Sequence, residues 1–234
     1  MASKADWPKV NISIDKDGRK FFTQHEWETM EALVARIYPA DHQPGAREAG
    51  VTTFIDHYLS GIDYIYATAD GSGFMEISGK HADSWRSRVS NMQRTYRAGL
   101  RQLDALAKEN FDKDFKDLGE RVQDGILEVL SGEPKPESVS LQQTSPMSSA
   151  LQGVSDQGMP FFDAVCLHTR QGMFCDPVYG GNRDRIGWDV IGFPGPKSLK
   201  DTRDCTYSVK EYFVQEYDWE ELIPHLKQVK QNGG

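Results

Sequence analysis

One long amphipathic stripe constrains the fold more than any other feature of the chain. From Ser84 to about Ala107, the residues Trp85, Val89, Met92, Tyr96, Leu100, Leu103 and Leu106 recur at helical spacing. At 100° per residue they fall within roughly a third of the circumference. A helix of that length cannot leave such a face in water, so it requires other helices to cover it. Candidates for that cover are present on both sides. Thr23 followed by Glu26 is a capping box, with Phe22 and Trp27 placed for a hydrophobic staple. Trp27, Met30, Leu33, Val34 and Ile37 then recur at helical spacing, and Pro39 ends the run. A short helix is expected over 51–59, with Val51, Phe54, Ile55, Tyr58 and Leu59 inward and Gly61 closing it. A further helix is predicted from about Asp114 to Ser131, closed by Gly132, and another from about Phe161.

Between and around these helices the sequence reads differently. "VNISIDKDGRKFF", residues 10–22, alternates around Asp-Gly and is expected to form a small β-hairpin. Residues 61–82 read as a glycine-broken loop, and 132–157 as a long polar connection. "CTYSVKEYF" suits a strand, and "DWEELIPHLKQVKQ" a C-terminal amphipathic helix. The expected fold is therefore mainly α: an irregular bundle of four to five helices with a small β-hairpin and a long structured Gly/Pro-rich loop near the C-terminus. We read 1–234 as one domain, with hairpin and helices over 1–131, the polar connection over 132–157, and helix, loop and C-terminal helix over 158–234.

Charge and motifs narrow the function. The chain carries 27 basic and 35 acidic residues, a formal net charge of −8, and has no Lys/Arg-rich run. That argues against binding nucleic acid or anionic lipid. No stretch of about 18 apolar residues occurs, so no membrane span is expected. G-x-G-x-x-G after a strand, the P-loop, C-x-x-C-H, H-E-x-x-H and G-x-S-x-G are all missing from the sequence. Cys166, His168, Cys175 and Asp176 are legitimate zinc-ligand types. Their spacing matches no usual ligand pair, and positions 166 and 168 of one helix point apart. A stand-alone metal-dependent enzyme is the reading they would support; the plainer one is a buried, hydrogen-bonded His168. Arg86, Arg94, Arg97 and Arg101 share an arc of the long helix, either a solvated face with local ion pairs or a contact surface for an acidic partner. The cysteines, Cys166, Cys175 and Cys205, are odd in number. Either one can pair with another chain or all three are reduced.

The most distinctive segment is "GMFCDPVYGGNRDRIGWDVIGFPGP", residues 172–196. Asp176-Pro177 halts a helix. Gly180 and Gly181 permit positive φ at two successive positions, and Asn182 and Asp184 can bond their own backbone. Tyr179, Trp188 and Phe193 supply large apolar area at low entropic cost, for the chain's own helices or for another protein.

The string DP-x-YGGN-x-x-x-x-GW-x-x-x-GFPGP, with "FFDAVCLHTRQGMF" before it, resembles the C-terminal hallmark of the gluconate 2-dehydrogenase subunit 3 family. "FFTQHEWETMEALVARIYPADHQPGAREAGVTTFIDHYLSG" is similar to the same family's N-terminal block. The resemblance implies a non-catalytic small subunit that binds, stabilises and helps mature or export a large subunit. That partner would carry FAD, have glucose–methanol–choline architecture and oxidise a sugar or sugar acid. A haem c subunit would often accompany it. It further implies a partner interface at Asp176, Tyr179, Gly180, Gly181, Asn182, Arg183, Asp184, Trp188 and Phe193. Cys175 and Cys205 become candidates for an intersubunit disulfide. No catalytic, cofactor-binding or metal residue is expected on this chain. A periplasmic location is implied, although no export signal is visible in the sequence; a cytoplasmic one is the alternative, and a transient export chaperone is a further reading.

Overall fold

A computed structural model describes residues 9–10, 18–60, 64–67, 74–76, 78–132, 156–193 and 195. The chain is mainly helical. In order, the helices are α1 (Gln24–Ile37), α2 (Val51–Leu59), α3 (Gly79–Phe111), α4 (Glu120–Ser131), α5 (Phe161–Phe174) and the short α6 (Ile186–Val190).

The start of α1 forms as its sequence dictates. Thr23 Oγ1 accepts from the Glu26 amide at 3.2 Å, and the Glu26 carboxylate accepts from the Thr23 amide at 2.9 Å. Helix α3 is longer at both ends than its apolar stripe marked. Between Gly79 and Ser84 only Ala82 is buried, so this first stretch carries no apolar repeat for sequence to reveal. Its C-terminus reaches Phe111, where Asp112 turns into the left-handed region at φ 54°. The helix expected from Asp114 begins instead with a 3-10 turn, Phe115–Asp117, and α4 starts only after Gly119. Phe115 is wholly buried there, and the buried Gln123 side chain donates to its carbonyl at 2.9 Å.

The hairpin expected over 10–22 is not found among the described residues. Residues 11–17 lie outside the described residues, and Lys9–Val10 (β1) pairs with distant chain, opposite Phe74–Glu76 (β3). Strand β3 also pairs antiparallel with Tyr64–Ala67 (β2), giving the order β1-β3-β2. Strands thus lie inside the region read as a glycine-broken loop: "YIYA" and "FME" are short runs that the surrounding glycines obscured. Most of the polar connection, and the expected C-terminal strand and helix, fall outside the described residues.

One apolar core joins the five longer helices. Met30, Leu33 and Val34 of α1 meet Val51, Ile55 and Leu59 of α2, Met92, Tyr96 and Leu103 of α3, Ile126 of α4, and Val165 and Met173 of α5. Ion pairs brace its rim. Arg36 of α1 holds Asp124 at 2.8 and 3.0 Å and Glu120 at 2.7 Å, both on α4. The arginine arc of α3 is largely paired within the chain. Arg97 holds Glu26 at 2.9 Å, donates to the Phe21 carbonyl and lies over the Phe21 ring. Arg86 pairs with Asp83, and Arg94 bonds Ser90 and Asn91. Among the described residues no helix is long and apolar enough to cross a membrane.

Where α3 crosses α5, Gly99 receives the Phe161 ring. A Cβ at Gly99 would lie 2.0 Å from Phe161 Cγ, whereas one at Gly125 in α4 would meet nothing within 4 Å. The same substitution should therefore have opposite effects at the two sites. Gly125→Ala gains helix propensity and stabilises by up to about 1 kcal/mol. Gly99→Ala gains the same propensity but overpacks, for a net loss of about 1–3 kcal/mol. Thermal unfolding of the two variants measures both signs.

Candidate functional site

The Gly/Pro-rich segment folds as a compact turn pressed onto the C-terminal end of α5. Helix α5 stops at Phe174, and Asp176-Pro177 opens a 3-10 turn over Pro177–Tyr179. The Asp176 carboxylate accepts from the Val178 amide at 2.9 Å, closing an Asx turn. Gly180 then takes φ 94°, over the His57 ring of α2. Gly181 does not have positive φ, contrary to expectation. It is glycine because the backbone passes directly over α5: a Cβ would lie 2.2 Å from the Gly172 carbonyl oxygen. Gly187 is under the same constraint, with its Cβ position 1.8 Å from the Met173 carbonyl oxygen. The contact is sealed by Asn182, whose amide donates to the Gly172 carbonyl at 2.7 Å.

Asn182 organises the rest of the turn. It is completely buried. Its Nδ2 donates to the Cys175 carbonyl at 2.8 Å, and its Oδ1 accepts from the Gly187 amide at 2.8 Å. One side chain thereby links the end of α5 to the start of α6. Its φ of 45° is left-handed, which asparagine tolerates better than most residues. Arg183 straps the turn to α2: its amide donates to the Ala49 carbonyl at 2.9 Å, and its guanidinium lies against Gly50. Asp184 and Arg185 also have positive φ, at 54° and 64°. For L-residues that conformation costs about 1 kcal/mol or more each. Asp184 does not use its side chain as a backbone partner, unlike Asn182.

The aromatic residues divide between core and rim. Trp188 is buried and donates from Nε1 to the Phe174 carbonyl at 2.9 Å. Phe193 packs edge-on against it at 5.3 Å, and Gly195 lies against the opposite part of the ring system, where a Cβ would be 2.2 Å from Cε3. Trp188 thus holds the turn to its own helix, as Asn182 does. Tyr179 is half-buried. Asp184, Arg185, Asp189 and Ile191 are the exposed residues of this stretch, together with Arg183 and Gly192.

A buried polar cluster joins α2, α3 and α5: His168 is buried and hydrogen-bonded, as its plainer sequence reading expects, while its partner Asp156 and the residues that meet there were not foreseen. Asp156 is fully buried. It receives the Tyr58 hydroxyl, Arg88 Nε and, at 3.2 Å, His168 Nε2. Burial alone would raise its pKa; the bonds from His168, Tyr58 and Arg88 outweigh that and hold it down at about 2. An ionised Asp156 can only accept, so His168 Nε2–H donates to it, and the Tyr96 hydroxyl lies 2.7 Å from Nδ1. The Tyr96 ring stacks on His168. Burial, then the Asp156 bond and charge, push the Tyr58 hydroxyl well up. Tyr58 and Arg88 could not be recognised as partners of Asp156 from sequence, because they lie 98 and 68 positions away. A second buried carboxylate, Asp56 of α2, accepts from the amides of Lys20, Phe21 and Phe22 at 2.6, 3.0 and 2.8 Å. It anchors the segment entering α1.

This arrangement overturns the zinc reading of Cys166, His168, Cys175 and Asp176. Both ring nitrogens of His168 are committed, and the Asp176 carboxylate closes the Asx turn. Cys166 and Cys175 are free thiols. Burial pushes them up, to about 11 for Cys166 and about 12 for Cys175, so neither is a ready thiolate. Cys205 lies outside the described residues. The one group of metal-ligand types that does converge among the described residues is His25, Asp104 and Asp114. Its groups already have partners: His25 Nε2 lies 2.6 Å from Asp104, and Lys108 Nζ lies 2.7 Å from Asp114.

The family described as gluconate 2-dehydrogenase subunit 3 matches residues 24–195, from the start of α1 to the end of the turn. The chain belongs to that family, whose members are subunits of a dehydrogenase complex. No curated protein matches the chain. No solved structure matches it either.

Two acid-labile steps follow from the site. Burial lowers the pKa of His57 from 6.5, with the Lys20 charge adding to the shift and Asp56 opposing it. As pH falls below 6.5, the unfolded chain takes up a proton there that the folded chain resists, so stability falls. Asp156 behaves in a lower window: its contribution is complete above 3.8 and is lost as pH falls through about 2. Denaturant midpoints measured against pH should show both steps, with His57→Gln flattening the first and Asp156→Asn the second.

Proposed function

We infer that the chain is the non-catalytic small subunit of an FAD-dependent dehydrogenase complex, and that it binds, stabilises and helps mature a large subunit. Oxidation of a hydroxyl on a sugar or sugar acid belongs to that partner, which carries FAD and has glucose–methanol–choline architecture. A haem c subunit is a further member of the complex in this reading, and export of the folded pair to the periplasm is part of its role.

The observation that carries the inference is the family match over residues 24–195. The direction of the chain's own chemistry supports it. Its buried carboxylates and His168 are bonded to other groups of the fold, and its two described thiols are pushed away from the thiolate form. Those groups serve as internal ties, and such a chain contributes shape and surface more readily than a reacting group. The turn is tied to its own helix by Asn182 and Trp188, and order in advance of binding reduces the entropic cost of association.

Co-expression with the cognate FAD-dependent large subunit tests the reading. The two chains should co-purify in fixed stoichiometry, with FAD on the large subunit, and omission of the small chain should leave the large one insoluble or short of FAD. Separate purification, with a large subunit that is fully active and FAD-loaded alone, contradicts it.

A further inference from the structure

The turn holds three non-glycine residues in the left-handed region within four positions: Asn182, Asp184 and Arg185. Only one of them uses its side chain to hold that conformation, although Arg185 also stands at the N-terminal cap of α6. The Asn182 side chain uses its conformation to bond Cys175 and Gly187. Asp184 and Arg185 are exposed, and neither side chain has a hydrogen-bond or ion-pair partner among the described residues. Backbone bonds keep the strained path in place: the Arg185 amide donates to the Asn182 carbonyl at 2.9 Å, and Asn182 is itself pinned to α5. The result is a stiff tip carrying one negative and one positive side chain. Glycine would follow this path with less strain. Strain held by surrounding structure at a solvent-facing tip points to a binding role for what the tip presents. The same segment also bears Ile191, 58% exposed and one of three large exposed hydrophobics among the described residues.

We propose that the Asp184–Arg185 tip, with Ile191, is the part of the turn that contacts the dehydrogenase large subunit. The inference rests on the proposed function and locates its interface. It replaces the buried Trp188 and Asn182 as direct contacts; they hold the tip, and the tip touches the partner. The matching surface presents a basic group to Asp184, an acidic group to Arg185 and an apolar recess to Ile191. A second copy of the chain is the poorer occupant, because two chains of net charge −8 repel.

The test separates strain from contact by reading two quantities on the same variants. Full-length Asp184→Gly and Arg185→Gly chains are prepared alone and as complexes with the cognate large subunit. Relief of strain raises the melting temperature of each free chain by about 2 °C. Loss of the contact weakens the complex about ten-fold or more in Kd, measured by mass photometry over a dilution series. Ile191→Ser, which relieves no strain, should weaken the complex without raising the melting temperature. Unchanged Kd in all three variants overturns the proposal while leaving the subunit reading intact. It is also overturned if the free chain forms a dimer that Arg185→Gly dissolves. If the wild-type chain fails to bind the large subunit at all, both readings fall.

Discussion

The turn exists in its observed form because its backbone lies in direct contact with the backbone of α5. Gly181 passes the Gly172 carbonyl and Gly187 passes the Met173 carbonyl with no room for a Cβ at either place. That approach lets the Asn182 amide reach Gly172 at 2.7 Å, and the Asn182 side chain then fixes Cys175 and Gly187 around it. Trp188 closes over the joint through Phe174. Each of these bonds would be unavailable if the two backbones stood a side chain apart. The glycines therefore act through close packing, and the positive φ usually credited to them matters at Gly180.

The turn is only as firm as α5, and α5 is held by polar as well as apolar contacts. Asp156 gathers α2 through Tyr58, α3 through Arg88 and α5 through His168, while Tyr96 of α3 meets the other nitrogen of the same histidine. Buried polar groups satisfied this completely specify one arrangement of helices; removal of any one leaves another unpaired, at a cost of about 1–3 kcal/mol. The same logic at Asp56 fixes the entrance to α1 through three backbone amides. Rigidity is thus passed from the bundle to the turn, and from the turn to its exposed tip.

Sequence made the apolar framework legible because helical period and capping are local properties. The stripe of α3 and the Thr23–Glu26 box are both found where periodicity and spacing place them. Three features were beyond local reading. Strand β1 pairs with β3, more than sixty residues away, so the alternation near residue 10 suggested a local hairpin where the described residues show a distant partner. The Asp156 cluster needs Tyr58, Arg88 and His168 to meet, and none of them carries a motif. At the site, Asp-Pro, the glycines and Asn182 correctly signalled an ordered turn, but composition could not say which way its rings faced. Trp188 faces inward because its indole N–H finds the carbonyl at the end of α5. The family resemblance names Asp184 with the interface, but the left-handed φ of Asp184 and Arg185 is something no sequence pattern reports.

The central claim is that the turn is ordered by the chain's own helix and is complete before any partner arrives. Residue-resolved amide hydrogen exchange on the chain alone tests this most directly. The Asn182 and Gly187 amides, bonded to Gly172 and to the Asn182 side chain, should exchange as slowly as amides in the middle of α5. Fast exchange at both positions in the free chain, with protection gained only on joining a large subunit, would contradict the account.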